Sequence, residues 1–430
     1  MLRATLFLLF AATALPGEAR VAIEQWTAAS GARVSFVESH ALPIVDVAVE
    51  FAAGSAYDPQ EKAGLAQLTL GMFKTGSARY SEAELSRRIA DVGAQLRDAI
   101  DRDRAGFTLR SLSSEAERRA ATDTLTDMLQ SPLFAGPAFE REKSRAFANA
   151  AEAETRPDSV AERRLYALMY PAHPYGLTAN PASIAAISRE DVERFYRTYY
   201  GAGRAVVTIV GDMSREAARI LADGLTSRLP QGKGPDLALV SPAQRGEFER
   251  ISHPSAQSHV LLGLATLARS DPDYFPLFVG NYILGGGGFV SRLFKELREK
   301  SGFAYSAYSY FLPLQREGPF LVGLQTRRDQ AGEALARTRE VIEEFMARGP
   351  TPVELKAAKM GLIGGFPLRI DTNRKVLEQV AVIGFYRLGP DWLDKFAARV
   401  NGVTLEQLRS AFARHVDPAR LSIVIVGAAR

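Results

Sequence analysis

The stretch SREDVERFYRTYYGAGRAVVTIVG, Ser188 to Gly211, aligns without a gap on TLEQLRSAFARHVDPARLSIVIVG, Thr404 to Gly427, at a constant offset of 216 residues. Each copy reads as a helix start, an amphipathic helix, a turn with an arginine (Arg204, Arg420), and a buried strand ending in Val-Gly. Fainter echoes join PAFE at Pro137–Glu140 with TPVE at Thr351–Glu354, and Asp58-Pro59 with Asp271-Pro272. A unit of roughly 200 residues is far too long for a solenoid repeat, so the duplication predicts two tandem homologous domains. Pro230 to Glu247, PQGKGPDLALVSPAQRGE, is rich in proline, glycine and polar residues and reads as the linker. The boundaries that follow are 20–229 for the first domain, 230–247 for the linker and 248–430 for the second.

Within each half, strands precede a helical block, and a helix and strand close the unit. The first half has strands in Arg33–Phe51 and Ala105–Ser111, with helices over Gln60–Thr75, Ser81–Val92, Glu115–Gln130, Glu140–Glu154 and Ser159–Tyr170. The second has strands at His259–Ala265 and Glu317–Thr326, with helices over Tyr274–Leu284 and Gln330–Ala347. This order predicts an α+β fold: two domains, each a mostly antiparallel sheet with helices packed on one face.

Composition narrows the function. Met1 to Ala19 has Arg3, an apolar core from Ala4 to Leu15, and small residues at Gly17 and Ala19, the pattern of a signal peptide. The apolar run is too short for a comfortable membrane span, so a periplasmic protein is expected. The chain has no cysteine, which excludes disulfides, thiolate metal sites and a cysteine-linked lipid anchor. Its net charge of +4 arises from 53 basic and 49 acidic residues that are well mixed. Without a basic block to track a phosphate backbone, nucleic acid is not an expected partner.

Two stretches carry chemistry. Leu284 to Tyr310, LGGGGFVSRLFKELREKSGFAYSAYSY, opens with four glycines, Gly285, Gly286, Gly287 and Gly288, whose backbone another chain can approach closely. Val290, Leu293, Phe294 and Leu297 recur at helical spacing, Gly302 stands where a C-cap would, and Phe303, Tyr305, Tyr308 and Tyr310 suggest a half-buried strand. Arg298 and Tyr305 supply a fixed cation and a phenolic hydroxyl beside the glycine loop, suited to the carbonyls of an extended peptide. An ordinary loop, helix and strand with a surface arginine is the plainer alternative.

The other stretch is Gly64 to Gly76, GLAQLTLGMFKTG, after the turn AAGSAYDPQEKAG. Together with the glycine-rich segment and the duplicated halves, it resembles the insulinase/pitrilysin-like zinc peptidases, the inverzincins, over essentially the whole chain after residue 19. The resemblance implies a fold of the LuxS/metallohydrolase and mitochondrial processing peptidase type. In members that cut peptides, this helix carries H-x-x-E-H, two histidines for zinc and a glutamate that activates water. Here those three positions hold Gln67, Leu70 and Gly71, and Asn149 stands at or near the position of the family's third ligand, a glutamate. Leucine and glycine offer no ligand atom, and an amide is a poor substitute for imidazole. His40, His173, His253, His259 and His415 form no pair at helical spacing, and His173, in HPYG, reads as structural. No zinc is expected in this chain.

The second half keeps what the first has lost. In the family, an arginine and a tyrosine of the C-terminal half face the zinc helix, and Arg298 and Tyr305 match their R-x6-Y spacing. The resemblance implies that Tyr305 donates to the oxyanion, that Arg298 holds the substrate extended, and that Gly285 to Gly288 line its path. It therefore implies a zinc-lacking subunit of a heterodimeric metalloendopeptidase, acting in trans on a peptide held at the zinc of a homologous H-x-x-E-H partner. Two alternatives are a non-catalytic peptide-binding or assembly protein of the same fold, and a self-sufficient enzyme with a site rebuilt around Glu152 or Glu154.

Overall fold

The computed structural model describes residues 21–427, so the expected signal peptide 1–19 lies outside the described residues. Two sheets organise the chain. The first contains β1 (Glu24–Thr27), β2 (Arg33–Glu38), β3 (Ile44–Phe51), β4 (Gln95–Ile100), β5 (Ala105–Leu112) and β6 (Ala205–Gly211), in the order β1-β2-β6-β3-β5-β4. The second contains β7 (Phe248–Ile251), β8 (Gln257–Leu267), β9 (Ala304–Phe311), β10 (Gly318–Arg327) and β11 (Ser422–Val426), in the order β7-β11-β8-β10-β9. Apart from the extra edge strand β1, the orders are the same, with β2–β6 and β7–β11 as the parallel pairs. The strands that end the two repeated sequences, β6 and β11, hold equivalent central places.

Helices follow the same duplication. The first half has α1 (Leu65–Met72), α2 (Glu82–Asp91), α3 (Glu115–Gln130), α4 (Gly136–Ala153), α5 (Pro157–Met169), α6 (Pro181–Ala185), α7 (Arg189–Tyr199) and α8 (Arg215–Thr226). The second has α9 (Tyr274–Asn281), α10 (Arg292–Phe294), α11 (Ala331–Arg348), α12 (Pro352–Gly365), α13 (Asn373–Tyr386), α14 (Phe396–Gly402) and α15 (Leu405–His415). Ser188 and Thr404, the helix starts of the repeat, form capping boxes with Asp191 and Gln407, each satisfying the first free N–H groups of its helix. The helix expected over Gln60–Thr75 is divided. Gly64 takes a left-handed conformation, φ 100°, and only Leu65–Met72 is α-helical, between two short 3₁₀ turns.

The halves exchange helices. Helix α5 belongs to the first half in sequence but packs on β8 and β11, while α13 of the second half packs on β2, β3 and β6. Each sheet thus has its own helices on one face and a helix of the other half on the opposite face. Small residues permit the approach: Gly263 of β8 sits under Met169, and Gly384 of α13 lies against Ser35 and Val206. Val37, Ala48 and Val210 bury against Val376, Leu377, Val380 and Ile383 to form a separate apolar cluster at the second of these contacts. Burying such side chains contributes roughly 1.5–3 kcal/mol each.

A polar node joins the halves at their hairpins. Asp103, in the β4–β5 turn and fully buried, accepts from the hydroxyls of Tyr175 (2.5 Å) and Tyr386 (2.8 Å) and from the N–H of Gln315 (2.7 Å) in the β9–β10 turn. The segment 230–247 has no helix or strand, yet it is anchored: Leu237 and Val240 are buried, and Leu237 C=O accepts from the Arg316 guanidinium. The repeat's two turn arginines fix its ends, Arg204 donating to Gly234 C=O (2.8 Å) and Arg420 to Ala243 C=O (3.1 Å). Among the described residues no helix is long and apolar enough to cross a membrane.

Candidate peptide site and helix α1

Helix α1 is built from the turn that precedes it. The Asp58 carboxylate accepts from Gly64 N–H and Ala66 N–H, both at 2.7 Å, and so caps the positive end of the helix. Burial pushes the Asp58 carboxyl up to about 7, against the pull of those two donors. Gln67 is exposed and Gly71 half-buried, four residues apart on one face. Leu70, at 0% exposure, is turned into the apolar core. A Cβ at Gly71 would meet nothing within 4 Å, so the space a larger side chain needs is open and only the donor atom is missing.

Helix α4 packs against α1 and carries Asn149, which is exposed. Glu154 is ion-paired with Arg163 at 2.9 Å, and Glu152 is exposed two residues before it. An amide at 67, hydrocarbon at 70, hydrogen at 71 and an amide at 149 do not fit zinc, which needs imidazole or carboxylate donors. His173 is structural: its Nδ1 accepts from Tyr175 N–H (3.1 Å), which leaves the proton on Nε2 to donate to Ala238 C=O (3.1 Å).

Among the described residues, the one convergent group of three His, Asp or Glu side chains lies elsewhere, at Asp271, Asp273 and His415. Sequence spacing gives no hint of it, because α15 and the Asp-Pro turn meet only in the fold. Arg414 already takes Asp273 in a bidentate pair (2.8 and 2.9 Å), and His415 Nε2 is 3.0 Å from the same carboxylate. The group reads as the ionic tie that fastens α15 to the turn.

The second half presents its chemistry outward. Helix α9 runs on as a π-turn through Tyr282–Gly286, a 3₁₀ turn covers Gly288–Val290, and Ser291 caps α10, which continues as a π-turn over Lys295–Lys300. Gly302, φ 65°, ends it as a C-cap glycine should. Each of the four glycines has a steric or backbone reason, and at Gly286 and Gly287 a Cβ would lie 2.6 Å from Asn281 Nδ2 and from Tyr282 C=O. Gly285 presses on β9 so closely that a Cβ would lie 2.4 Å from Ser309 Oγ, and Gly288 has φ 59°. Asn281 secures the loop, exchanging hydrogen bonds with Ser309 C=O (3.0 Å) and Ser309 Oγ (2.7 Å).

The tyrosines of β9 depart from the expected half-buried alternation. Ala304, Ala307 and Ser309 face the core, while Tyr305, Tyr308 and Tyr310 all face out. Pairing with β10 slips between Leu324 and Thr326, and this irregularity puts Tyr305 on the same side as Tyr308, three residues on. Strand β9 is also the sheet edge.

Arg298 and Tyr305 meet here. The guanidinium lies 4.4 Å from the Tyr305 ring centroid, 4.9 Å from Phe294 and 5.8 Å from Phe289. Among the described residues neither Arg298 nor Tyr305 has a side-chain hydrogen bond or an ion pair, and Tyr305 is 82% exposed. The other arginine of the segment differs: Arg292 forms a bidentate pair with Glu354 (2.8 and 2.7 Å) and donates to Gly349 C=O. With Gly285, Gly286, Gly288 and Phe289, the Arg298–Tyr305 pair lines an open pocket of about 480 Å³ along β9. Gly287 turns away from it, toward Tyr282. Sequence reasoning missed Phe289 and Asn281, and the only signal for either was adjacency to the glycines.

The class of protein is therefore a duplicated α+β chain with a helix in one half whose residues 67, 70 and 71 do not fit zinc and, among the described residues, an arginine–tyrosine pair without side-chain hydrogen bonds in the other. Residues 33–181 match the model of the insulinase family, peptidase M16, and residues 186–362 that of the peptidase M16 inactive domain. The chain resembles a solved structure of a peptidase M16 inactive domain from Pseudomonas fluorescens, with a TM-score of 0.90 and 32% identity, covering 95% of this chain and 98% of that one. It is 24% identical to the non-peptidase homolog YmxG of Helicobacter pylori, over 91% of each chain. It is equally 24% identical to the uncharacterized zinc protease YmxG of Bacillus subtilis, over 90% of this chain and 94% of that one. This chain belongs to the insulinase (peptidase M16) family, as an inactive-type member.

Proposed function

We propose that this chain is the zinc-lacking subunit of an exported, periplasmic heterodimeric metalloendopeptidase. In this reading it pairs with a homologous H-x-x-E-H subunit and contributes binding and charge stabilisation to peptides held at that partner's zinc. The observation that supports it most is the contrast between Arg292, consumed by Glu354, and Arg298, held by three aromatic rings with no acceptor among the described residues. A guanidinium fixed in direction yet unpaired is suited to a peptide carbonyl or carboxylate. Tyr305, exposed beside it with a free hydroxyl, is placed to donate to the oxyanion of a carbonyl under attack. The glycine loop and the edge of β9 give an extended peptide backbone a surface to lie on.

The test is cleavage of a quenched fluorescent peptide library by this chain, by a purified H-x-x-E-H partner, and by their mixture. Turnover is expected to rise sharply only in the mixture and to vanish with a zinc chelator. Tyr305→Phe in this chain should lower kcat of the mixture by roughly 10²-fold, the usual effect of losing one oxyanion donor. A mixture no better than the partner alone would remove the catalytic reading.

A further inference from the structure

A second pocket of the C-terminal half shares no residue with the site above. The turn after β8, helix α9, the end of α13 and helix α14 line an open pocket of about 580 Å³. Two guanidinium groups lie over the Trp392 indole, Arg399 at 4.6 Å and Arg269 at 5.9 Å from its centroid. Arg269 also lies over Tyr274 at 4.7 Å, and Arg399 over Phe275 at 5.4 Å. A third arginine, Arg387, stands at the mouth in a left-handed conformation, φ 57°, at the C-cap of α13.

None of these three arginines has an ion pair or a side-chain hydrogen bond among the described residues, and the Arg269 Nε–H is buried without an acceptor. The neighbouring acids are otherwise engaged. Asp391 is bound to Lys395 and feels Arg399 only through space, and Asp271 accepts from Asp273 N–H and lies 3.7 Å from His415. Three cations thus face one wall acid, Asp271, and the remaining walls are largely aromatic and apolar. A buried cationic donor left unsatisfied is costly, and a carboxylate in this pocket would supply its acceptor.

We infer that this pocket binds an organic carboxylate with an apolar body. The guanidinium forks take the carboxylate in the geometry they take it elsewhere, and stacking on Tyr274, Phe275 and Trp392 holds their planes in place before the ligand arrives. The aromatic walls cover the body, which a bare inorganic anion would leave undone. Such a carboxylate comes either from the free C-terminus of a peptide ending in an apolar residue or from a small aliphatic or aromatic acid. This inference does not depend on the subunit reading.

The chain has two tryptophans, Trp26 and Trp392, so Trp26→Phe leaves Trp392 as the sole indole reporter. That variant is titrated with Ala-Ala-Phe, with its C-terminal amide, with hydrocinnamate and with inorganic phosphate. A saturable change in Trp392 emission is expected with at least one free acid, with the amide at least ten-fold weaker. Arg269→Gln and Arg399→Gln should each weaken binding at least ten-fold. Arg387→Glu, an exposed change outside the ring stack, should weaken it while leaving the circular dichroism unchanged. Binding of the tripeptide acid alone identifies a peptide C-terminus as the ligand; binding of hydrocinnamate identifies a free acid. Absence of a saturable change, equal affinity for acid and amide, or phosphate competing as well as the acids would overturn the inference.

Discussion

The two halves run the same path from a central strand to an edge strand, β3–α1–α2–β4 in the first and β8–α9–α10–β9 in the second, and use it oppositely. In the first, α1 serves packing: Leu70 is in the core, Gly71 presents no side chain, and Asp58 seals the helix N-terminus. In the second, the helix overruns into the glycine loop, and Arg298, Tyr305 and Phe289 remain outside. The same fold therefore tolerates different residues on its outward positions, because strand pairing and the apolar face do not depend on them.

The sharpest way to break this comparison is to remove packing from the first half. Phe73 is fully buried and contacts the rings of Phe107, Phe134, Tyr196 and Tyr200. Phe73→Ala should cost about 3–5 kcal/mol in urea unfolding. A loss below about 1 kcal/mol would show that this half is not held by that cluster.

Glycines in corresponding helical runs should then behave in opposite ways. Gly285→Ala forces a methyl to within 2.4 Å of Ser309 Oγ, an overpacking expected to cost about 1–3 kcal/mol. Gly71→Ala has open space and a better helix former, so it should be neutral or stabilise by up to about 1 kcal/mol. Equal effects of the two in thermal melts would contradict the contrast drawn here.

A pH series probes Asp58. Because its carboxyl is raised to about 7, the folded chain keeps a proton that the unfolded chain releases near pH 4. Stability should therefore fall as pH rises from about 4 to about 7, and Asp58→Asn should flatten that part of the curve. An identical curve for both proteins would sink the assignment.

The smallest effect is the most telling. Arg298→Ala loses its stacking on Tyr305, Phe294 and Phe289 but no hydrogen bond or ion pair among the described residues, and should change unfolding stability by no more than about 1 kcal/mol. The same substitution of Arg292 breaks a partly buried pair with Glu354 and should cost more. Reversal of that ranking would mean that Arg298, not Arg292, is the structural arginine.

Much of this was legible in the residues. The gapless repeat located the two central strands and their capped helices, because strand burial and helix capping leave local patterns. Residue type alone says that Leu70 and Gly71 offer no ligand atom, since ligand chemistry is a property of the side chain. Arg298 and Tyr305, seven residues apart in the sequence, are in contact in the fold. What was not legible involved partners distant in sequence or backbone irregularity: the slip in β9 that turns Tyr305 outward, the anchoring of 230–247 by Arg204 and Arg420, and the tie between His415 and Asp273.

By itself, then, the sequence determined a duplicated α+β chain, a helix whose positions 70 and 71 carry no donor atom, and a second half with an arginine and a tyrosine seven residues apart. Periodicity, capping and ligand identity are written residue by residue. Only the tertiary structure decided that α5 and α13 cross to the opposite sheets, that Asp103 locks the two hairpins, and that Arg298 is free while Arg292 is not. Those outcomes depend on which groups meet across more than a hundred residues of chain, or on where a long side chain finds an acceptor, and no local pattern encodes either.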